Sequence, residues 1–382
     1  MLHVVNRYGQ RSETFLTDLI ADLDAVGWEA RLVSHWPPVN RAEFPFPPDD
    51  RFVHPRRPAV WRSALGRLAG RPARVRGAEW WREELRAVRP DIVHVHFAWT
   101  AGRVAFERLG TPTVVSFHGS DVRSWPHASA ANQKVYDELL RRLRYAIASS
   151  QSIAEQLRAD GFHGRIDLVN PGVHLDRFPF APPNGDIVRR RLLFVGRQVE
   201  CKGLDVLLRA MRRVVDERPE TTLVVIGDGD DFARNRELAR LLDLERHVEF
   251  RGAQPHSEVA RELRHALALV VPSRTSAAGE AEGHPVAPKE AFAAGVPVIA
   301  TSCGGLPEVF PPDLRATLVG ENDAPALAEA IVAFLESPDT WRERSAVARK
   351  WAEEQFDARR LAERVAGLYG DMRDAHRVTQ AR

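Results

Sequence analysis

The chain has 382 residues, enough for two domains of ordinary size, each with its own hydrophobic core. Hydrophobic residues make up 44% of it and charged residues 28%, with a net charge of +2, as in soluble globular proteins. No apolar run reaches the roughly 18 residues that a membrane-spanning helix needs, and two cysteines, Cys201 and Cys303, are too few for a disulfide framework or a metal cluster.

The N-terminal stretch MLHVVNRYGQRSETF has no basic region leading into an apolar one, so we expect no signal peptide and a reducing, cytoplasmic location. It begins with a predicted strand, Leu2–Val5, and a loop. An apolar stripe at helical spacing then runs from Phe15 to Leu23. Five more strands are predicted in the first half, at Ala30–Ser34, Ile92–His96, Thr113–Phe117, Tyr145–Ser149 and Ile166–Val169.

A proline-rich segment, Pro179–Asp186, is predicted to be a linker, after which the strand pattern restarts. A helix is predicted from Gly203 to about Arg218. The strands predicted in this half are Leu192–Val195, Thr221–Gly229, His247–Gly252, Ala266–Ser273 and Pro297–Thr301. Alternating strands and helices favour an α/β architecture with parallel sheets, so we predict two doubly wound domains, residues 1–182 and 188–354.

Two cations follow the first strand of the second half, in the sequence FVGRQVECKG. Arg197 comes directly after the strand, and Lys202 lies just before the next helix. Ligands of open parallel sheets bind beyond the carboxyl ends of the strands, where these two side chains could converge on a diphosphate. The spacing alone leaves open that both are solvated cations on a surface loop.

The segment EGHPVAPKE carries two carboxylates, Glu282 and Glu290, on either side of a helix start. Pro288 is predicted to be the first helical residue. Backbone N–H groups at a helix start suit an anion, and a carboxylate can accept two hydrogen bonds from a vicinal diol. The N–H donors would be those of Val286, Ala287 and Lys289. The alternative for Glu290 is an acid that only complements the helix dipole.

The histidines and the clustered acids each have two interpretations. His118, in SFHGSDV after an apolar strand, could bind a hydroxyl or carry a proton, or could be structural. His94 and His96 alternate along a strand, and we expect at least one of them to pack in the core or at the rim of a cleft. The acids of GDGDD, Gly227–Asp231, could hold a divalent cation, but Gly and Asp also form turns, and we favour the turn.

Eight motifs in chain order carry a resemblance to a known family: SETF, RPDIVHVHF, SFHGSDV, NPGVHLDRF, VGRQVECKGLDVLLRA, VVIGDGDD, EGHPVAPKEAFAAGVPVIAT and GGLPEV. Together they resemble the retaining family-4 glycosyltransferases of GT-B fold, most of all the bacterial exopolysaccharide and colanic-acid-type members. The match covers about residues 2 to 370. It implies two Rossmann-like domains facing across a cleft, with a C-terminal helix within residues 355–382 that packs back on the first domain.

The resemblance implies a role for each matching residue, and the expected catalytic residues are His118, Glu282, Arg197 and Lys202. Arg197 and Lys202 would hold the donor diphosphate, and Glu282 would bind hydroxyls of the donor sugar near the reacting carbon. Glu290 would bind the ribose diol, and His118 would reach the sugar from the opposite domain. The other expected donor contacts and supporting residues are Gly9, Arg11, Asp121, Gly283, His284, Pro285, Val286 and Ala287.

Three departures from the family pattern surround the expected donor sugar. The first loop, RYGQRSE, lacks paired glycines, His284 stands where an apolar residue is usual, and Pro288-Lys289 replaces two aliphatic residues. We therefore expect His284 and Pro288-Lys289 to set the identity of the sugar, while the departure in the first loop bears on its phosphate contact.

The resemblance thus implies a retaining, metal-independent glycosyltransferase that needs no cofactor. It would move a hexose-type sugar from a nucleotide diphosphate sugar, on family frequency a UDP-sugar, to a glycan, lipid-linked or small-molecule acceptor. One alternative is a non-catalytic subunit that only binds nucleotide sugar. Another is a different GT-B enzyme, such as an epimerase or a phosphorylase with a pyridoxal cofactor.

Residues 56–81, RRPAVWRSALGRLAGRPARVRGAEWW, form a segment rich in Arg and Trp. Four of its apolar side chains share one helical face: Val60, Trp61, Leu65 and Leu68. Such a face beside arginines predicts peripheral docking on an anionic membrane, where a lipid-linked acceptor would lie. The alternative is an ordinary helix on the first sheet with a solvated Arg face. No nucleic-acid-binding motif accompanies the segment, so we expect no nucleic-acid partner.

Overall fold

The computed structural model describes residues 1–10, 13–40, 43–44, 47–53, 87–102, 110–181 and 191–380. The chain divides into two compact units. The first unit is Met1–Asn170 together with Arg359–Arg382, and the second is Pro171–Ala358. Each unit is built on a parallel sheet.

The strands of the first unit are β1 Leu2–Arg7, β2 Arg31–Trp36, β3 Phe52–Val53, β4 Val93–His96, β5 Thr113–Phe117, β6 Tyr145–Ala148 and β7 Arg165–Leu168. Its helices up to the unit boundary are α1 Thr14–Ala25, α2 Ala98–Ala101, α3 Ser120–Arg123, α4 Ala130–Arg142 and α5 Gln151–Ala159. The strand order is β3-β2-β1-β4-β5-β6-β7. The six strands predicted for this half are all present. The edge strand β3 was not predicted, because two residues carry no periodicity.

The strands of the second unit are β8 Arg191–Val195, β9 Thr222–Ile226, β10 Val248–Phe250, β11 Ala268–Val271 and β12 Val298–Ala300. Its helices are α6 Leu204–Glu217, α7 Phe232–Leu241, α8 His256–Leu263, α9 Ala287–Ala294, α10 Leu306–Val309, α11 Ala324–Leu335 and α12 Trp341–Gln355. The strand order is β10-β9-β8-β11-β12. The five strands predicted for this half are therefore confirmed.

Strand β8 shows why the sheet of the second unit is covered on both faces. Leu192 and Phe194 join the apolar cluster on one face, and Leu193 joins the cluster on the other. Successive side chains of a strand point to opposite faces, so a strand buried on both sides reads as a continuous apolar run. The helical stripe of α6 packs on the first of these clusters through residues such as Leu207 and Met211.

The C-terminal helix α13, Ala358–Gln380, belongs to the first unit from Arg359 onward. Leu361 and Val365 are buried in the same cluster as Leu16 and Ile20 of α1. The predicted return of the C-terminal helix to the first domain is confirmed.

The first unit ends earlier than residue 182, where the sequence placed the end of the first domain. Val173 donates its N–H to the carbonyl of Phe356 over 2.7 Å and accepts the N–H of Ala358 over 3.1 Å. Phe178 is fully buried in a cluster of the second unit. These contacts hold the segment from Pro171 onward to the second unit. The predicted linker Pro179–Asp186 extends into residues 182–190, outside the described residues.

Within the described ranges, none of the helices combines the length and apolarity needed to cross a bilayer. The Arg- and Trp-rich segment 56–81 lies outside those ranges, so the predicted amphipathic helix there stays a prediction.

Candidate functional site

The predicted residues of the second unit lie in the segments that follow β8 and β11, two adjacent strands of its sheet, and Glu290 lies in the first turn of the helix after β11. Arg197 and Lys202 come after β8, and Glu282 and Glu290 come after β11. Because the strands are parallel, both loops leave the same edge of the sheet. This is the edge at which open α/β sheets bind ligands.

Lys202 and Glu282 are paired directly. The Nζ atom of Lys202 lies 2.7 Å from Oε1 and 2.8 Å from Oε2 of Glu282. The hydroxyl of Ser273 donates to Oε1 over 2.6 Å. The two charged side chains are 22% and 8% exposed, so the carboxylate is nearly buried and the ammonium reaches solvent. Two hydrogen bonds from the ammonium and a third from the hydroxyl satisfy a desolvated carboxylate well.

The backbone of Glu282 is held by the two glycines of GGLPEV, a motif for which the sequence suggested no function. Gly305 donates its N–H to the carbonyl of Glu282 over 2.9 Å. Gly304 has φ +53°, and a Cβ there would lie 2.3 Å from the same carbonyl oxygen. A side chain at this position would displace the Glu282 backbone. The glycine pair therefore fixes where the first carboxylate of the site stands.

Glu290 lies in the first turn of α9 and is bonded to a residue that the sequence analysis missed. Its Oε1 atom is 2.6 Å from Nε2 of His256, the first residue of α8. Nothing in the local sequence pairs these two residues, which are separated by 34 positions.

The start of α9 differs from the prediction by one residue. The helix begins at Ala287, and Pro288 is its second residue. The carbonyl of Val286 accepts the N–H groups of Lys289 and Glu290, at 2.9 and 3.1 Å. The predicted role of the Lys289 N–H as an anion donor is therefore wrong, because that N–H is already bonded within the helix turn.

The Lys289 side chain is fully buried. Its Nζ atom donates to the carbonyl of Pro171 over 2.6 Å and lies 4.9 Å above the Phe356 ring. Burial holds the pKa of this ammonium well below its usual range. The side chain thus ties α9 to the segment that begins the second unit, and the expectation that Lys289 helps to select the sugar is not supported by its contacts.

The residues between Glu282 and α9 form the connecting loop. Gly283 and His284 are buried, and Pro285, Val286 and Ala287 are half-buried. The His284 ring packs edge-on to Phe356 at 5.8 Å, and burial keeps its pKa well below the usual value. Its Nδ1 atom is shielded and has no hydrogen-bond partner in the described part of the chain.

Of the two cations predicted to hold the diphosphate, Arg197 is the more exposed. Its side chain is 53% exposed, and its guanidinium lies 4.0 Å from Glu280. The loop that carries it is held by the GDGDD segment: Gln198 donates its N–H to the carbonyl of Asp228, and Asp231 donates its N–H to the carbonyl of Gln198, each over 2.9 Å. The loop is therefore anchored, while the guanidinium retains room to move.

In the first unit, His118 follows β5 and its loop is organised by Asp121. Oδ1 of Asp121 accepts the N–H groups of His118 and Gly119, each over 2.9 Å, and Oδ2 accepts the N–H of Ala98 over 2.9 Å. Burial raises the pKa of Asp121 to about 6, against the opposing effect of these bonds.

The His118 ring lies between aromatic side chains, with centroids 4.5 Å from Phe97 and 5.2 Å from Phe15. Burial lowers its pKa to about 3, so the ring is neutral near pH 7. Both ring nitrogens are shielded and have no hydrogen-bond partner among the described residues. A neutral imidazole can bind a hydroxyl through either nitrogen, and here the ring would have to become exposed before a ligand could reach one.

Gly9 lies in the loop after β1 with φ +84°, and a Cβ there would come within 1.9 Å of the Val39 carbonyl oxygen. Only glycine allows this approach of two backbone segments. Arg11, the other residue predicted in this loop, is outside the described residues.

Three further histidines form a buried cluster on the sheet of the first unit. Nitrogens of His3, His94 and His96 lie within 4.8 Å of one another, which raises the question of a metal site. The rings of His94 and His96 are stacked, however, with centroids 4.1 Å apart, so their lone pairs run side by side instead of meeting at one point.

Four of the six ring nitrogens of this cluster have hydrogen-bond partners, whereas Nε2 of His3 and Nδ1 of His96 have none among the described residues. His94 bonds to the hydroxyl of Tyr369 at 2.5 Å and to that of Ser116 at 2.7 Å, and Nδ1 of His3 is 3.0 Å from Nε2 of His96. Metal ligation requires each lone pair to point at the ion from about 2.0–2.1 Å. We assign the cluster a structural role, which extends the expectation that at least one of His94 and His96 packs in the core to both.

Comparison with protein families gives two matches that together span most of the chain. Residues 184–353 match the model described as glycosyl transferases group 1, and residues 12–177 match glycosyltransferase family 4.

Among curated proteins, the chain is 33% identical over 252 residues to the putative colanic acid biosynthesis glycosyltransferase WcaL of Escherichia coli, covering 64% of this chain and 62% of that protein. It is 32% identical to the amylovoran biosynthesis glycosyltransferase AmsK of Erwinia amylovora, covering 63% of this chain and 60% of that protein. The chain thus spans about three fifths of their length. It is 30% identical to the putative teichuronic acid biosynthesis glycosyltransferase TuaC of Bacillus subtilis, covering 74% of this chain and 71% of that protein.

Solved structures resemble the fold over nearly the whole chain. Anabaena Alr3699/HepE, in complex with UDP, aligns with a TM-score of 0.76 at 17% identity and covers 97% of this chain and 99% of its own. A sucrose-phosphate synthase from Thermosynechococcus elongatus aligns with a TM-score of 0.77 at 22% identity, covering 98% and 99%.

Proposed function

The chain belongs to the family-4, group 1 glycosyltransferases of GT-B fold, and we propose that it moves a hexose-type sugar from a nucleotide diphosphate to an acceptor hydroxyl with retention of configuration. The observation that carries the proposal is the contact between Lys202 and Glu282 at the carboxyl edge of β8 and β11. A cation and a nearly buried carboxylate side by side match the two ends of a sugar diphosphate, one anionic and one rich in hydroxyls.

In the proposed reaction, negative charge gathers on the leaving diphosphate while the transition state becomes oxocarbenium-like. Lys202 and Arg197 stabilise that charge electrostatically, together with the N–H groups of Val286 and Ala287 at the start of α9. The exposed guanidinium of Arg197 can move to the phosphate once the donor is bound. These cations supply the charge neutralisation, so the proposal includes no metal and no cofactor.

We assign the donor contacts as follows. Glu282 binds hydroxyls of the sugar and Glu290 binds the ribose diol. His118 keeps the sugar contact that the family resemblance implies, which requires one of its shielded ring nitrogens to become exposed when the donor binds. The oxygen of the acceptor hydroxyl attacks the anomeric carbon from the face that the diphosphate leaves. The bond from that carbon to the diphosphate breaks, and the departing phosphate oxygen takes the proton of the acceptor hydroxyl. No protein side chain acts as nucleophile.

The proposed substrates rest on the chemistry of the candidate site and on the similarity of the chain to named glycosyltransferases. We propose UDP as the carrier and a glycan, lipid-linked or small-molecule hydroxyl as the acceptor, in the synthesis of an extracellular polysaccharide. The names of three relatives, for colanic acid, amylovoran and teichuronic acid biosynthesis, support this class of product. A cytoplasmic location with peripheral contact to the inner membrane face accords with such an acceptor.

The test begins with thermal-shift measurements against uridine, guanosine and adenosine diphosphate sugars. The donor that stabilises the protein is then incubated with candidate acceptors, and release of the nucleoside diphosphate and the anomeric configuration of the product are measured. Transfer with retention is the expected result. Binding without transfer to any acceptor would favour a non-catalytic subunit, and conversion of the donor sugar without an acceptor would favour an epimerase. Visible absorbance from a lysine-bound pyridoxal would favour a phosphorylase.

A further inference from the structure

His256 contacts the carboxylate that the proposed function assigns to the donor ribose. Its Nε2 atom lies 2.6 Å from Oε1 of Glu290. A carboxylate only accepts hydrogen bonds, so Nε2 carries the hydrogen and donates it, in the neutral ring as in the charged one. The side chain of Glu290 is 7% exposed and that of His256 is 24% exposed. The bond is therefore largely shielded from competing water.

A carboxylate this deeply buried needs compensation for its lost hydration. The first turn of α9 provides some through the helix dipole, and the His256 bond provides a specific donor. That bond engages Oε1 and thereby sets the rotation of the carboxylate, which decides where Oε2 points. A vicinal diol needs both oxygens of the carboxylate at defined positions.

The direction of the His256 ring is set independently of Glu290. The ring packs edge-on to Phe178, with centroids 5.4 Å apart and planes at 76°. Phe178 is fully buried, and its carbonyl accepts a hydrogen bond from Arg349 of α12 over 3.1 Å. A ring held by a buried aromatic neighbour presents its N–H in a fixed direction, so His256 can orient a partner.

We propose that His256 is a positioning residue that holds the Glu290 carboxylate in the orientation that accepts both hydroxyls of the donor ribose. The inference rests on the proposed function. His256 acts through Glu290 and does not touch the reacting atoms, so its loss raises KM for the donor and leaves kcat at saturating donor nearly unchanged. The loss is largest for ligands that carry both ribose hydroxyls and smaller for the 2′-deoxy forms, which keep only the 3′-hydroxyl.

The test uses UDP, GDP and ADP and the 2′-deoxy form of each, with affinities measured by titration calorimetry. His256→Phe keeps the ring against Phe178 and removes the donor. We expect it to weaken the nucleotide that the wild type binds by about tenfold, and to weaken the 2′-deoxy form, which keeps only the 3′-hydroxyl, by no more than about threefold. His256→Gln restores an N–H donor and should recover most of the affinity. His265→Phe, at an exposed histidine just beyond α8, is the matched control and should change neither affinity.

A second measurement separates orientation from folding. In a Glu290→Ala background, His256→Phe should add less than about a twofold effect, because the group through which it acts is gone. If His256→Phe weakens the ribose and deoxyribose forms equally, or leaves the preference for ribose intact, the inference is overturned while the proposed function stands. If the wild type binds none of the three nucleotides, the proposed function fails, and the inference fails with it.

Discussion

The ammonium of Lys202 lies 2.7 and 2.8 Å from the two oxygens of the Glu282 carboxylate, so two side chains assigned to different parts of one donor hold each other. Binding of a diphosphate would exchange one anionic partner of Lys202 for another. The carboxylate would not be stranded by that exchange, because the Ser273 hydroxyl also donates to it. The pair thus keeps both groups ordered and compensated before the donor arrives.

Replacing Glu282 should abolish most of the transfer. Glu282→Ala removes the proposed sugar contact and the counter-charge of Lys202, and we expect kcat to fall on the order of 100-fold. Steady-state kinetics with the donor identified by thermal shift measure the effect. Glu258→Gln, at a carboxylate on α8 that pairs with Arg261, is the matched control and should be silent. Undiminished transfer by Glu282→Ala would refute the assignment.

Gly304→Ala should damage the site through the backbone of Glu282. The added Cβ would meet the Glu282 carbonyl oxygen at 2.3 Å. Gly252→Ala is the control, because Gly252 has a similar φ of +65° but no atom within 4 Å of an added Cβ. Both variants should lose about 1 kcal/mol of unfolding free energy to backbone strain. We expect only Gly304→Ala to lose more and also to lower transfer at least tenfold. Equal kinetics in the two variants would show that this close approach is unimportant.

The identity of the sugar should depend on His284 and not on Lys289. Lys289→Met keeps the length of the buried side chain, and the preference among donor sugars should stay within about twofold of the wild type because the Nζ atom faces the Pro171 carbonyl. His284→Leu should change that preference, because the ring belongs to the loop that joins Glu282 to α9. Competition assays with paired donors measure both. A changed preference in Lys289→Met would contradict the structural role assigned to that lysine.

Acid should destabilise the first unit. Burial lowers the pKa of His3 and His118 from the usual 6.5 to about 3, and holds the pKa of His94 and His96 well below 6.5. The unfolded chain therefore binds more protons below pH 6.5, and each such histidine costs up to about 1.4 kcal/mol per pH unit there.

Asp121 acts in the opposite direction. Its pKa is raised from 3.8 to about 6, so its contribution to stability falls as the pH rises through that interval. The four histidines contribute more to the pH dependence of the unfolding free energy than the one carboxylate does. The urea concentration at the midpoint of unfolding should therefore fall when the pH is lowered from 7.5 to 5. His3→Asn should show a shallower drop than the wild type, because it removes one of the groups that take up a proton on unfolding. A midpoint independent of pH would contradict the buried, neutral state of these rings.

The Arg- and Trp-rich segment 56–81 should bind anionic vesicles. At low salt, the protein should sediment together with vesicles that contain about one-third phosphatidylglycerol. At high salt it should stay in the supernatant, because salt screens the attraction. Replacing Arg62 and Arg67 with Gln should weaken retention, whereas neutral phosphatidylcholine vesicles are the lipid control. Absence of binding at low salt would remove the membrane contact from the proposed function.

Sequence patterns located the elements well because their signals are local. Strands with continuous apolar runs and the stripe of α1 follow from burial on one or both faces. The placement of the predicted residues after strands β5, β8 and β11 also followed, since turn and helix-start chemistry marks those loops in the sequence.

Contacts between distant segments could not be derived in this way. The bond between His256 and Glu290 joins the starts of two helices, and the close approach of the Gly304 and Glu282 backbones joins two loops. Lys289 was expected to donate its N–H to an anion and to help select the sugar, and instead its side chain is buried and bonded to the Pro171 carbonyl. The spacing of apolar residues along the sequence does not predict such contacts, because each depends on how two separately predicted elements pack together.

The sequence by itself determined the two α/β halves, the order of their strands along the chain, the family and the loops in which a donor site would lie. Those properties depend on the period of apolar residues and on short motifs, which the chain carries locally. Only the tertiary structure decided that Lys202 pairs with Glu282, that His256 bonds to Glu290 and that three buried histidines cluster beside Tyr369. The reason is physical: a buried charge or imidazole takes its partner from whatever element packs against it, and packing is a property of the whole fold.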